Sequence, residues 1–190
     1  MKIVSLFGSP RQGGNSEAIA RRIMDVAAAK GAKTKGFYLH LLNYKGCYAC
    51  MGCKRGSETC VIKDDLIPVL DAVADADVTI LATPTYFGEM TGQMKCYFDR
   101  TYSFMTPDYL TNPTPTRLAP GKKCIFVQTQ GNPSEDQFGD VFPNYERFLK
   151  WQGFETILIR GVGLFTPQDA QNNTELMRQA EDIAEKLMEG

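Results

Sequence analysis

The chain has 190 residues, with 21 basic and 22 acidic side chains, one histidine and six cysteines. This near-neutral balance, without a basic block, gives no footing for nucleic acid or an anionic membrane surface, and no stretch approaches the roughly 18 apolar residues of a membrane span. Six cysteines fall well short of a disulfide scaffold and the first residues do not read as a secretory leader, so one domain over residues 1–190, in the reducing cytoplasm, is expected.

A short apolar strand, Ile3 to Phe7, runs into Gly8-Ser9-Pro10-Arg11-Gln12-Gly13-Gly14-Asn15-Ser16, and a helix pattern follows over residues 16–30. Ile19, Ile23, Val26 and Ala27 share one face of it, and Gly31 ends it. A strand that ends in glycines and hydroxyls before a helix offers backbone N–H groups, hydroxyls and a guanidinium to an anion. The loop lacks the lysine of a nucleoside-triphosphate loop and the glycine spacing of a dinucleotide fingerprint. What remains is a single-phosphate cradle, with Ser9, Arg11, Asn15 and Ser16 as candidate ligands. Ser16 is equally suited to cap the helix, and a glycine-rich turn with no ligand is the plainer alternative.

Phe37, Leu39 and Leu41 alternate with Tyr38 and His40, the pattern of a second strand, where His40 reads as structural. Four cysteines follow within 14 residues: Cys47, Cys50, Cys53 and Cys60. Three thiols at intervals of three suit one face of an iron–sulfur cube, with the fourth on a longer arm. Zinc, a redox dithiol and a packed, metal-free loop are the competing readings. Asp64 or Asp65 can cap a helix that faces Leu66, Leu70 and Val73 inward, with Pro68 in its first turn.

Residues 78–82 form a continuous apolar run, as in a strand buried on both faces. A loop, Pro84-Thr85-Tyr86-Phe87-Gly88, leads to a helix over about residues 91–102 with Met94 and Phe98 one turn apart. Asp99 and Arg100 read as an ion pair at its end. Residues 104–120 carry four of the ten prolines, a length of loop expected to cover a site or join a dimer. A strand at residues 124–127, the loop Thr129-Gln130-Gly131-Asn132, a helix near 144–152, a strand from Thr156 to Val162 and a last helix with Leu176, Ala180, Ile183 and Leu187 on one face complete the pattern. Cys96 and Cys124 read as core residues. Five alternations of strand and helix predict an α/β fold, a parallel sheet with helices on both faces.

Three stretches together carry a resemblance. The loop GSPRQGGNS, the segment Ala82–Gly88 followed by Met90-Thr91-Gly92 and Phe98-Asp99-Arg100, and the cysteine run leading into Lys63-Asp64-Asp65 resemble the NADPH-dependent FMN reductase group of the flavodoxin-like superfamily. The resemblance implies a five-stranded parallel sheet in the order 2-1-3-4-5, with the ligand at the carboxyl ends of strands 1 and 3. It implies FMN, with its phosphate on Ser9, Arg11, Asn15 and Ser16. Pro84, Thr85, Tyr86, Phe87 and Gly88 would edge the ring, and Thr129, Gly131 and Asn132 would close its other side. The cysteine spacing resembles that of iron–sulfur flavoproteins, which implies [4Fe–4S] on Cys47, Cys50, Cys53 and Cys60. The implied activity is electron transfer from NAD(P)H, or a reduced carrier, to a small acceptor or redox partner, by a homodimer or homotetramer, with or without a cluster on the way. No acid–base residue is assigned, because the chemistry belongs to the cofactor. A flavodoxin-type carrier without NAD(P)H turnover is the alternative, although carriers tend to be strongly acidic. A flavin-free binding fold is the third reading.

Overall fold

The computed structural model describes residues 1–189. Among them, five parallel strands lie in the order β2-β1-β3-β5-β6: β1 Lys2–Phe7, β2 Lys33–Tyr38, β3 Val78–Tyr86, β5 Lys123–Thr129 and β6 Glu155–Gly161. A two-residue strand, β4 Glu89–Met90, folds back antiparallel on the end of β3. Without that short return, the order is the one expected, 2-1-3-4-5.

The sheet is covered on both faces because its strands alternate two apolar sets. Val4, Leu6, Leu81 and Phe126 point one way, toward α2 Ile67–Asp75, α3 Gly92–Arg100 and α4 Val141–Trp151. Ile3, Phe7, Ile80, Ile125 and Val127 point the other way, toward α1 Asn15–Ala29, the short α5 Asp169–Asn172 and α6 Thr174–Glu189. No helix among the described residues is long and apolar enough to cross a membrane.

Two local expectations are corrected. The second strand is Lys33–Tyr38, and Leu39–Leu41 is a 3-10 turn. The strand pairs only with β1 and is mostly exposed, so its own charged residues KTK carry no apolar alternation. Gly36 stands where a side chain would strike the Phe7 ring, at 2.6 Å from its Cε2. Helix α1 starts at Asn15 with Gly14 as its N-cap, so Ser16 lies inside the first turn and does not cap it. On α6 the expected face holds, with Leu176, Ala180 and Leu187 buried, Ile183 packed against the same cluster and Ala184 added to it.

The ends of β1 and β3 are held together by one threonine. Thr91, fully buried, is the N-cap of α3. Its hydroxyl donates to the Gly8 carbonyl at 2.7 Å and accepts the Met94 N–H at 3.4 Å, while its own N–H donates to Thr83 Oγ1 at 3.1 Å. Gly8 has no room for a side chain there, since a Cβ would stand 3.0 Å from both Met94 and Thr91 Oγ1. Thr91→Val keeps the shape but leaves the Gly8 carbonyl and the Met94 N–H without this partner. It is expected to cost about 1–3 kcal/mol, read as a lower midpoint in denaturant at unchanged m-value.

Candidate functional site

The carboxyl ends of β1, β3 and β5 open onto a cavity of about 140 Å³. The chain enters it first from β1. Ser9 is buried, and its hydroxyl accepts the Arg11 N–H at 3.1 Å, which turns the backbone sharply into the loop. Gly13 follows with a φ of 69°, a conformation that suits glycine, and Gly14 leads into α1 with no side-chain cap on the helix. The first-turn N–H groups of α1 therefore face the cavity beside Ser9, Arg11 and Ser16, the arrangement of an anion site.

Pro84, Thr85 and Tyr86 line a second wall, and Thr129, Gln130 and Gly131 a third. Thr85 Oγ1 is buried with no protein partner, a hydroxyl left for a ligand. Arg160 on β6 shapes the third wall. It donates to Gln130 Oε1 at 2.7 Å and to the Glu135 carbonyl at 2.8 Å, while Gln130 Nε2 donates to the carbonyls of Asn132 and Ser134. Leu164 completes the lining, and the exposed ring of Phe165 lies close to Gly131.

Of the residues singled out from the sequence, Ser9, Arg11, Asn15, Ser16, Pro84, Thr85, Tyr86, Thr129 and Gly131 line this cavity. Phe87, Gly88 and Asn132 do not. Phe87 and Gly88, both with positive φ, make the tip of the β3–β4 hairpin, where the Phe87 ring is wholly exposed. Asn132 uses its carboxamide oxygen to accept the Ser134 N–H at 2.8 Å. Asn15 has its amide committed elsewhere: Nδ2 donates to the carbonyls of Leu164 and Thr166, and Oδ1 accepts the Ala170 N–H. It offers the cavity a backbone N–H and ties α1 to the loop after β6. Gly14, Gln130 and Leu164 line it too and were not assigned to the site, although Leu164 follows a parallel strand whose carboxyl end lies at the same edge.

The cysteines form a separate centre. Cys47, Cys50, Cys53 and Cys60 line one cavity of about 20 Å³, the first two exposed and the last two buried. Among the described residues no three Cys, His, Asp or Glu side chains stand close enough to hold a metal ion. The thiols match a cluster in kind and number, but their present spacing does not hold one. Cations surround them. Arg100, with its side chain fully buried, donates from Nε to Cys60 Sγ at 3.0 Å. Lys54 Nζ donates to the carbonyls of Tyr102 and Met105, and Arg117 donates to those of Ser103, Met105 and Cys53.

Asp99 and Arg100 do not pair. Neighbouring residues on a helix point apart, so Asp99 meets Lys95 one turn back at 2.6 Å, and Arg100 turns inward to Asp64 at 2.8 Å. Cys124 is fully buried, as expected, and burial pushes its thiol pKa up; Cys96 is only partly buried. The proline-rich segment lines neither the 140 Å³ cavity nor its rim. Tyr109 instead packs edge-on against Tyr102 and Trp151, over the α3–α4 side.

Burial alone would raise the Asp64 pKa, but Arg100 and the N–H groups of Lys45 and Leu66 hold it below the usual carboxylate range. A carboxylate whose pKa is lower folded than unfolded contributes stability above the unfolded value, lost as pH falls through the folded one. Wild type should therefore lose stability as pH falls below about 4. Asp64→Asn should be less stable at pH 7 and show a shallower decline in acid, measured by thermal unfolding across pH 2–7. An equal acid slope in both proteins would contradict this account.

The model of the NADPH-dependent FMN reductase family matches residues 1–135. An iron-sulfur flavoprotein of Methanosarcina thermophila is 37% identical over 100 residues, covering 53% of this chain and 52% of that protein. The matched stretch thus spans about half the length of that relative. Two solved structures share the fold. An NAD(P)H:quinone oxidoreductase from Methanothermobacter marburgensis aligns with a TM-score of 0.69 at 16% identity, covering 98% of this chain and 96% of that one. An FMN-dependent NADH-azoreductase from Bacillus anthracis, in complex with FMN, aligns with a TM-score of 0.68 at 11% identity, covering 98% and 99%.

Proposed function

The chain belongs to the NADPH-dependent FMN reductase family, and from that premise we propose that it binds FMN at the β1–β3–β5 edge and moves electrons from NAD(P)H to a small acceptor or a redox partner. The observation that carries this reading is the uncapped start of α1, which shares one cavity with Ser9 and Arg11 on one side and with Thr85 and Tyr86 on the other. An anion end and a flat, partly apolar end lie within one crevice, as a phosphorylated, ring-bearing cofactor requires.

When bound, FMN would supply the electron chemistry, accepting a hydride and releasing electrons in one step or two. The protein's residues bind and orient. Arg11 brings the mobile positive charge, Ser9 and Ser16 bring hydroxyls, and the first turn of α1 brings fixed N–H dipoles. Thr85 Oγ1 offers the buried polar contact that nothing in the protein satisfies. Tyr86, about half exposed, and Phe165, at 74%, present apolar faces that a planar ring would cover. The short antiparallel return of β4 fixes the Tyr86 backbone through its pairing with Glu89, and Glu89 in turn accepts the Tyr145 hydroxyl.

A second component of the proposal concerns the four thiols. They face one cavity beside Arg100, and cations suit a tetrathiolate cluster, whose net charge is negative. Iron-sulfur flavoproteins are among the matched relatives. Holding a cluster would require the 47–53 loop to draw inward, so no step of electron transfer is assigned to it. Six thiols, all free, suit a reducing compartment such as the cytoplasm.

Flavin, iron and acid-labile sulfide per chain, on protein purified without oxygen, test both parts. One flavin per chain with NAD(P)H oxidation supports the reductase. About four iron and four sulfide add the cluster, and flavin without iron removes it. Flavin that turns over only with a reduced protein partner would favour an electron carrier. Arg11→Ala should weaken FMN roughly ten- to hundredfold, the loss of a charge-assisted contact worth about 1.5–3 kcal/mol. Unchanged affinity in titrations of flavin fluorescence would remove Arg11 from the site.

A further inference from the structure

Glu17 is a buried acid directly beneath the anion loop, with 3% of its surface exposed. Its Oε2 accepts the Gly13 N–H at 2.8 Å. Its Oε1 accepts Arg21 Nε at 2.6 Å and the Tyr38 hydroxyl at 2.5 Å. Arg21 Nη2 also donates to the Tyr38 oxygen at 2.6 Å, so the three side chains close a ring. The Arg21 guanidinium is held in turn over the Phe7 face, 5.1 Å from the ring centroid.

A first-turn glutamate that reaches back to a backbone N–H is akin to half of a capping box, here shifted to Gly13, one residue before the N-cap Gly14, and by itself it steadies the helix. Beside a phosphate, however, a bare carboxylate is the wrong charge. The ring resolves that conflict. Burial would favour the neutral acid, but Tyr38, Arg21 and the Gly13 N–H outweigh it and keep the group ionised. The negative charge is met by Arg21, which does not line the cavity. What reaches the loop is a fixed acceptor on the Gly13 N–H, at the residue whose φ of 69° turns the chain.

Resting on the reading of this loop as the FMN-phosphate cradle, we propose that Glu17, set by Tyr38 and Arg21, is a positioning residue that shapes the Gly13–Gly14 turn and thereby makes the flavin site select for a phosphate. Glu17→Gln keeps the side chain's shape and alters its charge and donor pattern. A carboxamide can turn its oxygen to Gly13 or to Arg21, but its NH₂ then faces the other donor.

The test compares dissociation constants for FMN and for riboflavin, which lacks the phosphate, on the full chain stripped of flavin. Wild type should prefer FMN by more than about tenfold, a gap of about 1.4 kcal/mol. Glu17→Gln should weaken FMN about tenfold and move riboflavin less than twofold. Tyr38→Phe should move FMN the same way by about threefold. A helix-steadying role alone would weaken both ligands equally, and a purely repulsive charge would make the variant bind FMN more tightly. Either result, or an unchanged FMN-to-riboflavin ratio, overturns the proposal. Should Glu17→Gln fail to fold, the ratio in Tyr38→Phe decides by the same criterion. A wild type that does not prefer FMN would instead bring down the phosphate-cradle reading itself, and this inference with it.

Discussion

Thr91 joins three groups that the strand ladder does not bond to one another: the Gly8 carbonyl beyond β1, the Thr83 hydroxyl near the end of β3, and the first turn of α3. Parallel strands are held by their ladder, and the ladder between β1 and β3 stops at Phe7 and Ala82. Past that point the two chains part, one toward α1 and the other toward the β3–β4 hairpin. The crevice between them is a topological switch point, where ligands enter this class of sheet. Its width is fixed by one buried residue, whose hydroxyl bonds Gly8 and Met94 and whose backbone N–H bonds Thr83. Gly8 is part of the same constraint, because any side chain there would push against Met94 and Thr91 and open the crevice.

The cysteine segment is held on different terms. It has no strand ladder, and positively charged side chains fasten it to the rest of the protein. Arg100 spans Asp64, Cys60 and the carbonyls of Lys45 and Ile62, while Lys54 and Arg117 grip the carbonyls around Met105. Lys54 also lies over the Tyr102 ring, 4.0 Å from its centroid. A segment built this way is specified by hydrogen bonds to charged groups, each stronger than a neutral one. Its interior stays small, and its geometry depends on a few side chains.

The sequence made β1, β3 and β5 legible as strands because they carry the largely apolar runs of strands buried on both faces, while their order in the sheet came from the family resemblance. The first two cavity walls were legible because glycine, hydroxyl and proline clusters follow those runs directly. The edge strand was displaced by several residues, since Lys33–Gly36 is held by pairing to β1 and its side chains bury little. Arg100 could not be assigned a partner from its neighbours, because Asp64 lies 36 residues away. The Asn15 amide was out of reach for the same reason, as its partners come 149 to 155 residues later in the chain. Long-range polar contacts leave no periodicity to read, whereas burial does.

The connection from α3 to β5 has a property of a different order. The Thr106 N–H donates to the Pro115 carbonyl at 2.8 Å, and the Arg117 N–H to the Phe104 carbonyl at 2.7 Å. The excursion between them leaves and rejoins the fold at nearly one point, with Leu110 standing out in solvent at 78% exposure. Doubling the length of such a closed loop costs only about 0.6 kcal/mol of chain entropy. The stretch from Leu110 to Pro113, beyond the packed Tyr109 ring, is thus a natural place to graft a peptide tag or a fluorophore, and a place where the chain can be lengthened or trimmed while the crevice at the ends of β1 and β3 stays as it is.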